Sequence, residues 1–252
     1  MARLYFIIKK LFSILFLIWC ALVFSIFMIV LLPFILLPTW ILKGKKMQDT
    51  CFIFIKIWAW LFCTLCFFHI KVKGRKLINP NKAYIYISNH NSYLDVVAAT
   101  RAIPGSFKPL GKIEILKVPI FGLIYRKTVV LIDRKNAENR AKCIQDLKVE
   151  LAGGQSILIF PEGTMNRTDA PLAHFYDGAF RIAIETQTPI APIAVINARK
   201  LLPRSYPLDA KPGSISLIFG EPITVTGLTE ADLPKLKEQV HQVLESLIVN
   251  NS

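Results

Sequence analysis

Ala83-Tyr84-Ile85-Tyr86-Ile87-Ser88 runs directly into Asn89-His90-Asn91-Ser92-Tyr93-Leu94-Asp95. The first six residues are mostly apolar, β-branched or aromatic, which predicts a short buried strand. The Asn-His-Asn-Ser cluster is turn chemistry, and a helix is expected to open at Tyr93. His90 therefore stands where a strand stops and a helix begins. From that position an imidazole reaches a ligand at the sheet edge, while Asp95, in the first helical turn, reaches back to its other nitrogen. An imidazole oriented in this way is a competent general base for an alcohol, worth about 10²- to 10⁴-fold in rate. The same spacing also fits a capping box, Ser92-x-x-Asp95, in which Asp95 satisfies backbone donors at the helix start instead.

Outward from this stretch, strand-like and helix-like segments alternate. Strands are predicted at 83–88, 129–132, 156–160, 190–196 and 215–219, and helices at 93–100, 137–152, 179–186 and 230–249. That alternation predicts an α/β domain over residues 74–252, with a mixed, largely parallel sheet flanked by helices. Ligands in such folds gather at the strand ends.

Residues 1–73 read differently. The hydrophobic fraction of the chain is 53%, and Leu11 to Leu42 carries no charged residue over 32 positions. A second apolar stretch, Cys51 to Ile70, has Lys56 as its one Lys, Arg, Asp or Glu. The first run is far longer than the core of a cleavable signal, so both segments are expected to form a hydrophobic helical membrane anchor. Lys and Arg flank both segments on every side, which disfavours two ordinary spans. Pro33 and Pro38 offer a break at which the first segment turns back, so a monotopic or re-entrant anchor is expected, with the polar domain on the cytoplasmic face. Residues 1–76 carry +10 of the formal +14 charge. Basicity concentrated in the anchor points to anionic lipid headgroups and argues against nucleic acid as a partner. Four of the five cysteines lie in or beside apolar segments, so no disulfide framework is implied. The histidines at 69, 90, 174 and 241 lack ligand spacing, and no metal site is expected.

Phe160-Pro161-Glu162-Gly163-Thr164 closes a strand with a proline and a glycine. A glycine turn exposes backbone N–H groups, and Thr164 and Arg167 add a hydroxyl and a cation, which together suit a phosphate or an oxyanion. Pro-Glu-Gly is equally an ordinary surface turn. Lys112 and Arg134, between the two motifs, are candidates for clamping an anionic headgroup, or else solvated surface cations.

Taken in order, Asn89-His90…Asp95, Gly111-Lys112…Arg134, Phe160-Pro161-Glu162-Gly163-Thr164 and Pro189-Ile190-Ala191-Pro192-Ile193 resemble the blocks of the 1-acylglycerol-3-phosphate acyltransferases, glycerolipid acyltransferases with an NHxxxxD signature. The resemblance covers roughly residues 75–225. It implies that His90 deprotonates the free hydroxyl of a lysophospholipid acceptor while Asp95 holds the ring, and that the oxygen attacks an acyl thioester directly. The donor is acyl-CoA or acyl-carrier protein, no cofactor is needed, and the product is phosphatidic acid. Lys112, Arg134, Glu162, Gly163 and Thr164 inherit acceptor binding from the resemblance. Family members commonly carry Arg directly after Glu-Gly-Thr, whereas this chain has Met165; Arg167 is expected to substitute for it. Alternatives are an acyltransferase for another lysolipid and a non-catalytic lipid-binding protein. A thioester hydrolase is a third. No Gly-x-Ser-x-Gly elbow is present to suggest a covalent acyl-enzyme.

Overall fold

The uncharged run near the amino terminus winds into one long helix, α1 (Ala2–Leu36), in a computed structural model that describes residues 2–133, 135–204 and 206–251. Pro33 stands inside α1 on its exposed side, and the helix continues to Leu36. Of the two prolines at which the sequence reading placed a break, Pro33 leaves α1 unbroken, whereas at Pro38 the chain starts a separate short helix. It reverses after the short α2 (Pro38–Ile41), where Leu42 and Lys43 are extended, and returns as α3 (Gly44–Leu65). An exposed proline costs one outward-facing hydrogen bond, too little to break a helix packed along its other side.

The inner seam of α1 follows helical spacing, with Ser13, Phe16, Val23, Met28 and Ile35 buried. Its opposite face beyond Lys10 is exposed and still apolar, including Leu11, Leu15, Ile18, Leu22, Ile26 and Ile29. By length and composition α1 and α3 are both long and apolar enough to cross a membrane. They differ in what they touch. α3 packs against the sheet domain: buried Gln48 donates from Nε2 to the carbonyls of Phe107 (2.9 Å) and Thr128 (3.1 Å). Lys56 donates to the carbonyl of Ile103 (3.0 Å), which closes α4 (Leu94–Ala102), where a cation meets the negative end of a helix.

Among the described residues the sheet contains β1 (Phe68–Lys73), β2 (Ile85–Ser88), β3 (Phe107–Lys112), β4 (Val130–Ile132), β5 (Ser156–Ile159), β6 (Ile190–Ile196) and β7 (Gly213–Phe219), in the order β1-β7-β6-β2-β5-β3-β4. Neighbouring strands are parallel except β6 and β7. The expected mixed, largely parallel sheet is present. β1 begins before the expected boundary at residue 74, because Phe-His-Ile-Lys-Val-Lys pairs in register with β7 from Phe68 onward.

Strand residues alternate between two helical layers. Tyr86, Ile193 and Val195 face α1, α3 and α4. Ile85, Ile87, Ile157, Ile159 and Ala194 face α6 (Ala137–Ala152), α7 (Gly178–Thr186) and α9 (Leu233–Val249). α9 presents Leu233, Leu236, Val240, Leu244 and Ile248 along one buried stripe. α5 (Phe121–Thr128) bridges β3 and β4 and lays Phe121 and Ile124 against the anchor hairpin. α8 (Ala198–Leu201) follows β6. The carboxyl ends of the adjacent strands β6, β2, β5 and β3 thus lie side by side, and the loops they launch meet there.

Candidate active site

His90 leaves the end of β2 held on every side. Its Nδ1 lies 2.9 Å from Oδ2 of Asp95, which is fully buried in the first turn of α4. The same Oδ2 accepts from the backbone N–H groups of Asn91 (2.6 Å) and Ser92 (2.8 Å). The two readings of Asp95 are therefore both realised, and by a single oxygen: it orients the imidazole and satisfies backbone donors at the helix start. With the Nδ1 proton directed at the carboxyl group, the Nε2 lone pair is free to take a proton. The imidazole stacks on Phe160, with ring centroids 4.2 Å apart and planes 22° from parallel. Its side chain is 17% exposed, enough to meet a substrate on one edge.

The backbone of His90 is clamped by the turn that follows β5. Its N–H donates to Glu162 Oε1 (2.7 Å), and its carbonyl accepts from the N–H of Asn166 (2.7 Å). The other oxygen of Glu162 accepts from the N–H of Ala173 (2.9 Å). Burial pushes the Glu162 carboxyl above the usual glutamate range, while the two N–H groups and the nearby imidazole pull it back in part. Asn89, one residue before His90, is fully buried and pairs with β6 like an extra strand residue: Nδ2 donates to the Val195 carbonyl (2.8 Å) and Oδ1 accepts from the Val195 N–H (2.7 Å).

The structure brings His90, Asp95, Glu162, Gly163 and Thr164 together, but it changes two expected jobs. Glu162, read as an acceptor ligand, is 3% exposed with both oxygens engaged by backbone, so it positions His90. The Gly163 N–H, read as part of an anion cradle, donates to the Phe160 carbonyl (3.0 Å), because the turn at φ 71° needs that bond to close. Thr164 is exposed, and so is Arg167. Lys112 is exposed at the end of β3, two strands from β2 and hence about 10 Å away across the sheet. Arg134 lies outside the described residues. Met165 is buried, 7% exposed, and brings no charge to that position.

Sequence reading missed the Phe160 stack and a third loop. β6 neighbours β2, and the loop after α8 crosses the end of β2: Ser92 Oγ donates to the Leu202 carbonyl (3.0 Å). Two residues on, Arg204 Nη1 lies 3.4 Å from Thr164 Oγ1. Arg199 ties the base of this loop to the segment after β5 through the Thr168 carbonyl (2.7 Å). The unusual Met165 was the available signal that a cation comes from elsewhere.

The site is thus a histidine oriented by a buried carboxyl group at the carboxyl edge of a mixed α/β sheet. The family described as Acyltransferase matches residues 69–196, from β1 to the end of β6, and the chain belongs to that family. A 1-acyl-sn-glycerol-3-phosphate acyltransferase of Chlamydomonas reinhardtii is 30% identical over 64% of this chain and 48% of its own length. The mouse 1-acyl-sn-glycerol-3-phosphate acyltransferase alpha is 29% identical over 69% of this chain and 62% of its own. The chain thus spans about half to three-fifths of these curated relatives. The 1-acyl-sn-glycerophosphate (LPA) acyltransferase PlsC from Thermotoga maritima shares the fold, with a TM-score of 0.80, 19% identity, and coverage of 97% of this chain and 99% of that one.

Proposed function

We propose that this chain transfers a fatty acyl group from an acyl thioester, acyl-CoA or acyl-carrier protein, to the free hydroxyl of 1-acylglycerol-3-phosphate, giving phosphatidic acid. The observation that carries this reading is the 2.9 Å contact between His90 Nδ1 and buried Asp95, on an imidazole that is partly exposed. Nε2 accepts the hydroxyl proton as the oxygen attacks the thioester carbonyl. The tetrahedral adduct then collapses, the C–S bond breaks, and the imidazolium returns its proton to the departing thiolate. Proton and electron pairs balance without a covalent acyl-enzyme. Glu162 and Phe160 contribute by fixing His90 from below. Lys112, Arg134, Thr164 and Arg167 remain the proposed contacts to acceptor, with Gly163 shaping the turn. The names of the curated relatives support the acceptor assignment.

Both lipid substrates reside at a bilayer surface, so an anchor that keeps the site there gains proximity. α3 is committed to the sheet domain through Gln48 and Lys56, which supports a hairpin lying in the interface with the apolar outer face of α1 toward lipid. The cytoplasmic face is proposed from the basic flanks.

The test is transfer of labelled acyl groups by the purified chain in detergent, with lysophosphatidic acid and a neutral lysolipid offered in parallel. Phosphatidic acid as the main product supports the reading. Transfer to the neutral acceptor alone overturns the acceptor assignment, and thioester hydrolysis without transfer overturns the reaction.

A further inference from the structure

We infer that Arg204 is the cation that receives the phosphate of the acceptor, a role that the sequence pattern had placed on Arg167. The inference rests on the acyltransferase reading above and names a residue of its acceptor site. Three observations carry it. First, the Ser92–Leu202 bond pins the loop after α8 beside the His90 motif at the end of β2. Second, Arg204 then reaches the exposed Thr164 in the Glu162-Gly163-Thr164 turn, whose glutamate is bonded to the His90 backbone. Third, Met165 is buried and apolar and Arg167 is exposed, whereas the Arg204 guanidinium contacts Thr164 of this turn.

Among the described residues no carboxylate forms an ion pair with Arg204. Its contact with Thr164 is a long one at 3.4 Å and occupies one of five N–H donors. The remaining fork suits two oxygens of a phosphomonoester, with the Thr164 hydroxyl as a neighbouring donor. The acyl-CoA donor also carries phosphates, so the same chemistry has a second source. Arg204 is assigned to the acceptor side because it contacts Thr164 of the turn that holds His90, and the acceptor's phosphate is one glycerol carbon from the reacting hydroxyl.

The experiment measures KM and kcat for lysophosphatidic acid and for acyl-CoA in wild type, Arg204→Gln and Arg204→Lys, with 1-monoacylglycerol as the phosphate-free acceptor. Expected for Arg204→Gln is a rise of about 10- to 100-fold in KM for lysophosphatidic acid, with kcat within about threefold. Preference for lysophosphatidic acid over monoacylglycerol falls by a similar factor, and Arg204→Lys recovers part of it. A rise confined to the acyl-CoA KM overturns the assignment in favour of the donor's phosphates. An unchanged KM, or an equal loss on both acceptors, also overturns it. Each of these results leaves the acyltransferase reading standing, because that reading depends on wild-type transfer alone.

Discussion

Asp95 Oδ2 gathers three donors while its Oδ1 is buried without a partner among the described residues. Such a lopsided buried carboxyl is held in place by the backbone of its own turn, so the imidazole meets a fixed acceptor. Glu162 performs the matching task on the backbone side, and its raised carboxyl sets a pH signature. The folded chain keeps the Glu162 proton to higher pH than the unfolded chain, so between the two pKa values the folded state binds more protons and stability falls as pH rises. In Glu162→Gln that contribution is absent. The melting temperature of wild type relative to Glu162→Gln is therefore expected to be highest in acid and to shrink as pH rises through the folded carboxyl's pKa. A gap that is flat or widens with pH contradicts the assignment of burial as the dominant cause.

Among the elements, α3 binds the anchor to the sheet. Gln48 shares one amide between the end of α5 and the start of β3, and Gln48→Leu leaves two buried carbonyls without their donor. The expected cost is about 2–4 kcal/mol, partly offset because Gln48 Oε1 is itself unpartnered, and it is read as a lowered melting temperature in detergent. No change would mean that α3 is held by apolar packing alone. β2, β5, β6 and β7 were legible because each carries an apolar run of the right length. β1 and β3 were not: Phe-His-Ile-Lys-Val-Lys and Phe-Lys-Pro-Leu-Gly-Lys interrupt the pattern with lysines, and Lys108 is tolerated inside because Glu150 of α6 pairs with it. α5 was hidden by its brevity and its glycine. His90 and Asp95 were legible because one turn of chain brings them together. Phe160 meets His90 through the pairing of β2 with β5, and Arg204 meets Thr164 through a loop contact distant in sequence; local pattern encodes neither.

At the scale of the whole molecule, the helical hairpin and the loops around His90 pack on one sheet, so in the proposed function lipid contact and chemistry are held in a fixed relation. From Leu11 to Leu36 the outer face of α1 is exposed and largely apolar, about 39 Å of helix, longer than the roughly 30 Å of a hydrocarbon core. Introducing Leu22→Glu and Ile26→Glu on that face is expected to reduce flotation with vesicles of anionic phospholipid several-fold while leaving the melting temperature in detergent within a few degrees. Undiminished flotation would place membrane attachment elsewhere. The central claim is that His90 takes the acceptor's proton in a direct transfer, and the most direct test is the rate of acyl transfer from labelled acyl-CoA to lysophosphatidic acid by His90→Ala, at saturating substrates and with vesicle binding measured in the same preparation. The account predicts a loss of at least about 10²-fold in kcat with vesicle binding retained; full activity in the variant would contradict it.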